Sequence, residues 1–576
     1  MSAQAPALAA TRATFLRLRR IATDGAAAVE RLPVWAVLAG LIGVEWACVL
    51  ALARTVRHAG WIYYQGGDQL WYYTLGWLLG HGEIGKSLVG YGWSVLLAPL
   101  ARIAGPNLVS ALPAIIVFNV LVLLPVAMLA LYGIAARMGG RLFGYWALIL
   151  WVAVPFIGIA YANVGYHQRY TELLLPQSLG LTALADFPTM VTALVSAYFC
   201  TRVLFAEAPQ LLDAAAAGAA AGAAVGIKPA TALFLLGPAL AFAYRRRFSS
   251  LGMFAIAMAP ALIALAVWKE RGLGQIPAFG NSYAPHRLAA NATGGQPVAG
   301  LDLSRYLRLN WSHLGNNLDL LREHFWSGRV LEWLVIAGLI GLARGSRTAL
   351  LLVGGWFAAF AIVKGTYVSA SVEDGSLFRI MMPAFPAFIL FLASIPLLFP
   401  HAPQRLLRPW APAFAEPRPR IRLTFVVATL VLSGVVPLAA FAAVRTTGGS
   451  ADVALLGPGA PPVPVNVNLG LTAQVRPSGR IALRWRGAYP AGGPVFYRVW
   501  RGPASGGDGV TCPPTLEARA CIVALPEIAV TRRDAYVDNP GKGTWVYRIA
   551  VAANWLDDPG YGDIYLVGRP VRARSG

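Results

Sequence analysis

Asp68 stands in the aromatic stretch Trp61-Ile62-Tyr63-Tyr64-Gln65-Gly66-Gly67-Asp68-Gln69-Leu70-Trp71-Tyr72-Tyr73, just beyond the first long apolar run of the chain. A carboxylate flanked by two glycines, among rings of the kind that gather at lipid-headgroup depth, is suited to proton transfer on a membrane-borne substrate. A solvated loop acid is the alternative. Asp186, in Ala185-Asp186-Phe187-Pro188, also has two readings. An Asp followed two residues later by Pro is a helix N-cap signal, and it is equally a second acid at the mouth of a span. Lys228, in Gly226-Ile227-Lys228-Pro229, and Arg379, in Arg379-Ile380-Met381-Met382-Pro383, are cations at the ends of apolar runs. Snorkelling to headgroups explains the first and helix anchoring the second, unless each meets an anion. Two polar groups, His167, Gln168, Arg169 and Glu172, and His81, Glu83 and Lys86, are candidates to line a cavity. Glu373 and Asp374 precede Arg379 closely enough to pair with it. Among the rings, Tyr64 and Tyr72 are the nominees for stacking on a sugar, while Trp61, Tyr63, Trp71, Tyr91 and Trp93 read as interfacial anchors.

The elements that must carry these residues follow from composition. The 576 residues are 57% hydrophobic and 13% charged, with a mean hydropathy of +0.57. Apolar runs at 34-54, 108-131, 141-162, 185-205, 211-227, 229-244, 249-268, 330-344, 348-366, 379-399 and 424-445 approach the length that crosses a bilayer, giving about eleven spans. The excess of 48 Lys+Arg over 26 Asp+Glu, a net +22, falls largely in short loops between these runs. It therefore reads as topology signal and headgroup contact, not as a nucleic-acid surface. Arg12, Arg17, Arg19, Arg20 and Arg31 precede a first span with no small-residue cleavage site, so the beginning reads as a cytoplasmic tail. Counted from there, Arg137/Arg141, Arg245-Arg246-Arg247, Arg344/Arg347 and the stretch from Arg405 to Arg422 all fall on the cytoplasmic side. Loops 55-107, 163-184, 269-329 and 367-378, and everything after 446, then face the outside.

Within the first outer loop, 69-80 and 91-104 are apolar and aromatic at helical spacing and read either as short helices along the interface or equally as a re-entrant pair. Segment 269-329 holds an amphipathic helix near Leu318 to Phe325 that could cover the site. A Gly- and Pro-rich linker, 446-464, leads to a region of period two: Arg480 to Trp485, Val495 to Trp500, Trp545 to Val551 and Ile564 to Val567. These strands make 465-576 a small β-sandwich. Trp485 on an early strand and Tyr547 on a late one resemble the core Trp and tyrosine corner of fibronectin type III domains. Cys48 and Cys200 lie in spans as apolar packing groups. Cys512 and Cys521 flank a Pro-containing loop of the outer region, where an oxidising compartment would pair them.

Four segments, Gly66-Gly67-Asp68-Gln69, Gly90 to Pro99, Gly218 to Pro229 and Arg379 to Pro386, together with the order of spans and loops, resemble the GT-C glycosyltransferases. These include the protein mannosyltransferases and the aminoarabinose transferases that act on lipid A. The resemblance covers residues 34 to about 400. It implies a polytopic α-helical membrane protein of GT-C type, residues 1-445; the extracytoplasmic β-sandwich beyond the linker is not general to that family and would mark a subgroup with a particular acceptor. It implies further an inverting transfer of a sugar from a polyprenyl-phosphate donor to a cell-envelope glycan, lipid or protein. Such an enzyme would sit in a bacterial inner membrane and act on its periplasmic side. In that frame Asp68 is the base, Lys228, Arg379 and Lys86 hold the donor phosphate, and Asp186, His167, Arg169 and Glu172 hold the acceptor or a metal. Gln69 stands where many members carry a second acid, so the motif leaves a divalent metal open. A transporter or flippase of lipid-linked sugars is the rival reading. It would show repeated halves, and no such internal symmetry appears in this sequence.

Overall fold

The computed structural model describes residues 24–25, 27–55, 68–85, 87–167, 170–171, 175–208, 210–273, 276, 309–325, 328–367, 370–373, 375–398, 419–444, 453–455, 462–487, 495–511, 522–523, 525–553 and 563–576. Helices occupy the first three quarters of the chain. In order they are α1 (Val34–Thr55), α2 (Asp68–Gly80), α3 (Tyr91–Ala104), α4 (Leu108–Gly139), α5 (Arg141–Tyr161), α6 (Pro176–Gly180), α7 (Asp186–Leu204), α8 (Leu211–Ile227), α9 (Pro229–Tyr244), α10 (Phe248–Leu273), α11 (Trp311–His324), α12 (Gly328–Gly345), α13 (Arg347–Gly365), α14 (Ser376–Leu398) and α15 (Pro419–Ala443). Eight of them, α1, α4, α5, α7, α10, α13, α14 and α15, are long and apolar enough to cross a membrane among the described residues. The run at 211-244 forms two shorter apolar helices, α8 and α9, because Pro229 lacks the N–H that would carry one helix into the next.

The short helices of the first loop differ from expectation. α2 is buried from Gln69 to Leu78, and α3 packs along it. Gly76 and Gly80 make this possible, since a Cβ on Gly76 would sit 2.8 Å from the Ser94 carbonyl oxygen. Trp71, Tyr72, Tyr73, Trp77, Tyr91 and Trp93 are core residues, not headgroup anchors. Their polar atoms find protein partners: Tyr73 Oη donates to Gly105 O at 2.6 Å, and Trp93 Nε1 to Ala183 O at 2.8 Å. Burying an aromatic ring inside the protein is favourable once its N–H or O–H is satisfied there.

α8, whose sequence is nearly all Ala and Gly, is the centre of the helical body. It packs against α7 on one side and α10 on the other. The approach to α10 is close enough that a Cβ on Gly218 would lie 2.0 Å from Phe254 O. Small residues let backbones meet where no hydrophobic force separates lipid from helix. Gly218→Ala should therefore push α8 off α10 and cost about 1–3 kcal/mol. Thermal unfolding in detergent measures it, and an unchanged midpoint would refute the close contact. At the end of this helix pair remote from Lys228, Asp213 is buried between Arg202 at 3.0 Å and Arg422 at 3.2 Å. That cluster ties α7, α8 and α15 together, and nothing in the local spacing foretold it.

Strands follow: β1 (Val453–Leu455), β2 (Pro462–Pro464), β3 (Thr472–Val475), β4 (Ile481–Arg484), β5 (Val495–Pro503), β6 (Val510–Thr511), β7 (Ile522–Val523), β8 (Glu527–Thr531), β9 (Ala535–Asp538), β10 (Gly543–Ala553), β11 (Asp563–Val567) and β12 (Val571–Ser575). A three-stranded sheet runs β3-β4-β9 and a five-stranded one β11-β10-β5-β8, with β12 also paired to β10. The strand pairs within both sheets are antiparallel. Between the sheets lie Ile481, Leu483, Trp485, Tyr497, Val499 and Tyr547, the inward side of each alternating strand. Trp485 meets Tyr497 edge-on at 5.3 Å. Tyr547 Oη donates to Asp538 Oδ2 at 2.7 Å, a carboxylate that Arg501 also holds at 2.9 Å. The Tyr547 hydroxyl thus closes on a side chain, where the backbone contact of a tyrosine corner was expected. β2 lies against both β11 and α2, joining the strands to the first-loop helix.

Candidate functional site

Four segments distant in sequence bring their charged residues to one end of the helical body. Asp68 sits in the first turn of α2, and its Oδ2 is 3.0 Å from an Nη of Arg379 in α14. Asp186 sits in the first turn of α7 and pairs with the ammonium of Lys228, in the extended residue between α8 and α9. Each acid lies where the positive end of a helix dipole favours it. Asp186 caps nothing: Ala185 is the cap residue and makes no side-chain bond, so the N-cap reading of this acid is not realised. The Asp68 side chain keeps 41% of its exposure, enough to meet a substrate, whereas Asp186 keeps 2%.

Tyr72 stands between the two pairs. Its Oη donates to Ile227 O at 3.2 Å, next to Lys228. Burial, and then the charges of Asp68 and Asp186, push its phenol well above the usual tyrosine range. The phenol therefore keeps its proton and cannot be the base, and both acids lie within electrostatic reach of one ring. Sequence reading missed the neighbouring Lys364, in the last turn of α13. Its ammonium lies 5.1 Å from the Tyr367 ring, and α13 packs against the start of α9, which directly follows Lys228. A lysine inside an apolar run was the signal that could have found it.

The two glycine-rich segments explain the placement of Lys228. A Cβ on Gly90 would come 2.2 Å from Ile227 O, one on Gly92 2.8 Å from the Ile227 side chain, and one on Gly226 2.8 Å from Tyr91 Oη. The start of α3 and the end of α8 therefore touch backbone to backbone. Asp186 is placed by a similar device. Gln69 Oε1 accepts from Ala183 N at 3.0 Å while Trp93 donates to Ala183 O, and Asn119 Nδ2 donates to Gly180 O at 3.1 Å and Thr182 O at 3.0 Å. Gln69, the residue beside Asp68, is thus a strut for the turn ahead of Asp186. Sequence reading did not foresee that role.

Other expected residues fall elsewhere. His167 Nε2 donates to Ala162 O at 2.7 Å, within its own loop. That loop meets α11, where Tyr166 stacks on His324 at 4.4 Å and Asn163 N donates to His324 O at 2.7 Å. Asn317 of α11 in turn bonds Gly365 O, Ala370 O and Val372 N at 2.8–3.1 Å, so the helix seats on the chain between Lys364 and Arg379. Arg379 is paired to Asp68. Lys86, Arg169, Glu172, Tyr64, Asp374, Cys512 and Cys521 lie outside the described residues. Cys48 and Cys200 are free thiols, Cys200 buried.

Among the described residues no three His, Cys, Asp or Glu side chains come together in a way that could hold a metal ion. Asp68 and Asp186 each already face a cation, which occupies the ground a divalent ion would need.

The structure is similar to the crystal structure of the Archaeoglobus fulgidus oligosaccharyltransferase in its apo form, with a TM-score of 0.37 and 12% identity. The similarity covers 72% of this chain and 56% of that one, so it spans little more than half of the archaeal protein. No protein-family model matches the chain, and no curated protein matches it.

Proposed function

We propose that this protein is an inverting glycosyltransferase that takes a sugar from a polyprenyl-phosphate donor and attaches it, on the extracytoplasmic side, to a cell-envelope glycan, lipid or protein. The observation that carries the reading is the convergence of Asp68–Arg379 and Asp186–Lys228 around Tyr72. Three of the four charged residues, Asp68, Lys228 and Arg379, come from the segments on which the family resemblance rests. Asp68 accepts the proton of the acceptor hydroxyl as that oxygen bonds to the anomeric carbon. The bond from that carbon to the phosphate oxygen breaks on the opposite face, and the electron pair leaves with the polyprenyl phosphate. Negative charge growing on the phosphate is met by Lys228, Lys364 and Arg379, with Lys86 a further candidate. Asp186 holds Lys228 in place, and it belongs with His167, Arg169 and Glu172 on the acceptor side of the proposal. Tyr64 and Tyr72 are the proposed sugar contacts, Tyr72 on the strength of its place between the two ion pairs.

The division into a catalytic part, 1-445, a linker, 446-464, and a fibronectin type III-like sandwich, 465-576, belongs to the same proposal. It is supported by the change from helix at Ala443 to strand at Val453 and by the three-stranded sheet facing the larger one. An orienting role for the sandwich toward a glycan acceptor fits the contact of β2 with α2.

Purified protein in nanodiscs, given a radiolabelled polyprenyl-phosphate sugar and envelope extract, should transfer label with inversion at the anomeric carbon. No transfer from any such donor would sink the reading. Lys364→Met should raise the donor KM by roughly tenfold, since one of several cations on the phosphate is lost. An unaltered KM would remove Lys364 from the site.

A transporter of lipid-linked sugars is the second reading, and one observation favours it. Glu45 is an acid fully buried inside α1, accepting from Gln177 Nε2 at 2.7 Å and Trp151 Nε1 at 3.2 Å. Flipping of a labelled lipid-linked sugar across proteoliposomes, without transfer, would decide for it.

A further inference from the structure

The proposed reaction leaves a buried cation unused. Lys269, near the end of α10, points its ammonium at three consecutive backbone carbonyls, Ser87 at 2.5 Å and Leu88 and Val89 at 2.9 Å each. An ammonium has three donors and no acceptor, so this arrangement saturates it. Trp268 Nε1 adds a bond to Val89 O at 3.1 Å, and Gly272 packs so closely that a Cβ there would lie 1.9 Å from Ser87 Oγ. One turn of α10 therefore grips Ser87, Leu88 and Val89, the residues that lead into α3. The next residue is Gly90, whose backbone rests on Ile227 O, the same carbonyl that accepts from Tyr72. Ile227 leads directly into Lys228.

We propose that Lys269 is a positioning residue for Lys228, acting through the 87-90 loop: its grip holds Gly90 against Ile227 and so sets where the Lys228 ammonium meets a donor phosphate. The inference rests on the glycosyltransferase reading for the identity of the anion, while the positional link stands on the contacts alone. Loss of the three bonds frees the loop to slide, because a backbone contact with no side chain between the two strands tolerates no intermediate spacing.

Two measurements test it on the full chain in nanodiscs. The first is affinity for a fluorescent polyprenyl monophosphate. Lys269→Met should weaken it roughly tenfold, Lys269→Arg should recover part of the loss, and Lys269→Met should add less than about twofold in a Lys228→Met background. The second is labelling of Lys228 by a water-soluble amine reagent, read by mass spectrometry, which Lys269→Met should increase. Should Lys269→Met fail to fold, Trp268→Phe carries the same test, with a loss of about threefold. Wild-type affinity in both single variants, unchanged labelling of Lys228, or losses that multiply in the double variant would each overturn the inference. A wild-type protein that binds no polyprenyl monophosphate would instead sink the transferase reading, and the labelling would still decide the positional link.

Discussion

Asp68→Asn should lower kcat for sugar transfer by about 10³-fold while leaving the donor KM unchanged or lower. The asparagine keeps the size of the carboxylate and one acceptor oxygen for Arg379, so the fold of the first turn of α2 survives. It loses the capacity to take a proton from the acceptor hydroxyl. It also releases Arg379 from a charged partner at 3.0 Å, which leaves the guanidinium freer to meet a donor phosphate. A split between kcat and KM is the signature of a group that acts in the transition state and not in ground-state binding. The measurement is single-turnover transfer from a radiolabelled donor with the acceptor saturating. Transfer within about threefold of wild type would remove Asp68 from the role of base.

Breaking the Asp186–Lys228 pair should have two separable effects. Asp186 is almost wholly buried, so Lys228→Met strands a carboxylate and Asp186→Asn strands an ammonium beside Lys364. Each single change should lower stability by about 3 kcal/mol, since an uncompensated buried charge costs more than the pair contributes. The double change, Asp186→Asn with Lys228→Met, removes both charges and should recover most of that stability. It should not recover transfer, which stays down by about 10²-fold because the phosphate has lost a cation. Thermal unfolding and transfer are measured on the same preparations. Recovery of both in the double variant would show that the pair serves only to hold α7 against the end of α8.

Much of the helical framework was legible from residue types. Each apolar run of the first three quarters of the chain is helical, because a backbone in hydrocarbon must satisfy its own N–H and C=O groups and a helix does so within one segment. Strand positions were legible by the same logic at period two, and β4, β5, β10 and β11 lie where alternation placed them. Less legible was the depth of the first-loop helices. Trp71, Tyr72, Tyr91 and Trp93 have the chemistry of headgroup anchors, and only the contact of α2 with α3, made through Gly76 and Gly80, turns them into core. Lys269 and Lys364 were passed over because a lysine at the end of an apolar run is usually a snorkelling group. Whether its ammonium reaches water or a ring of carbonyls depends on the neighbouring loop.

From the sequence alone came the classes of element and the acids and cations capable of chemistry. These follow from local physics: burial of apolar side chains at a fixed period, obligatory backbone pairing, and the conformational range of each residue. The choice of partners came only with tertiary structure. Arg379 could have anchored its helix or met Asp68, and Lys228 could have reached headgroups or Asp186, since Coulomb attraction is indifferent to spacing along the chain. Packing made the choice, by bringing the start of α3 onto the end of α8 and the start of α14 beside the start of α2.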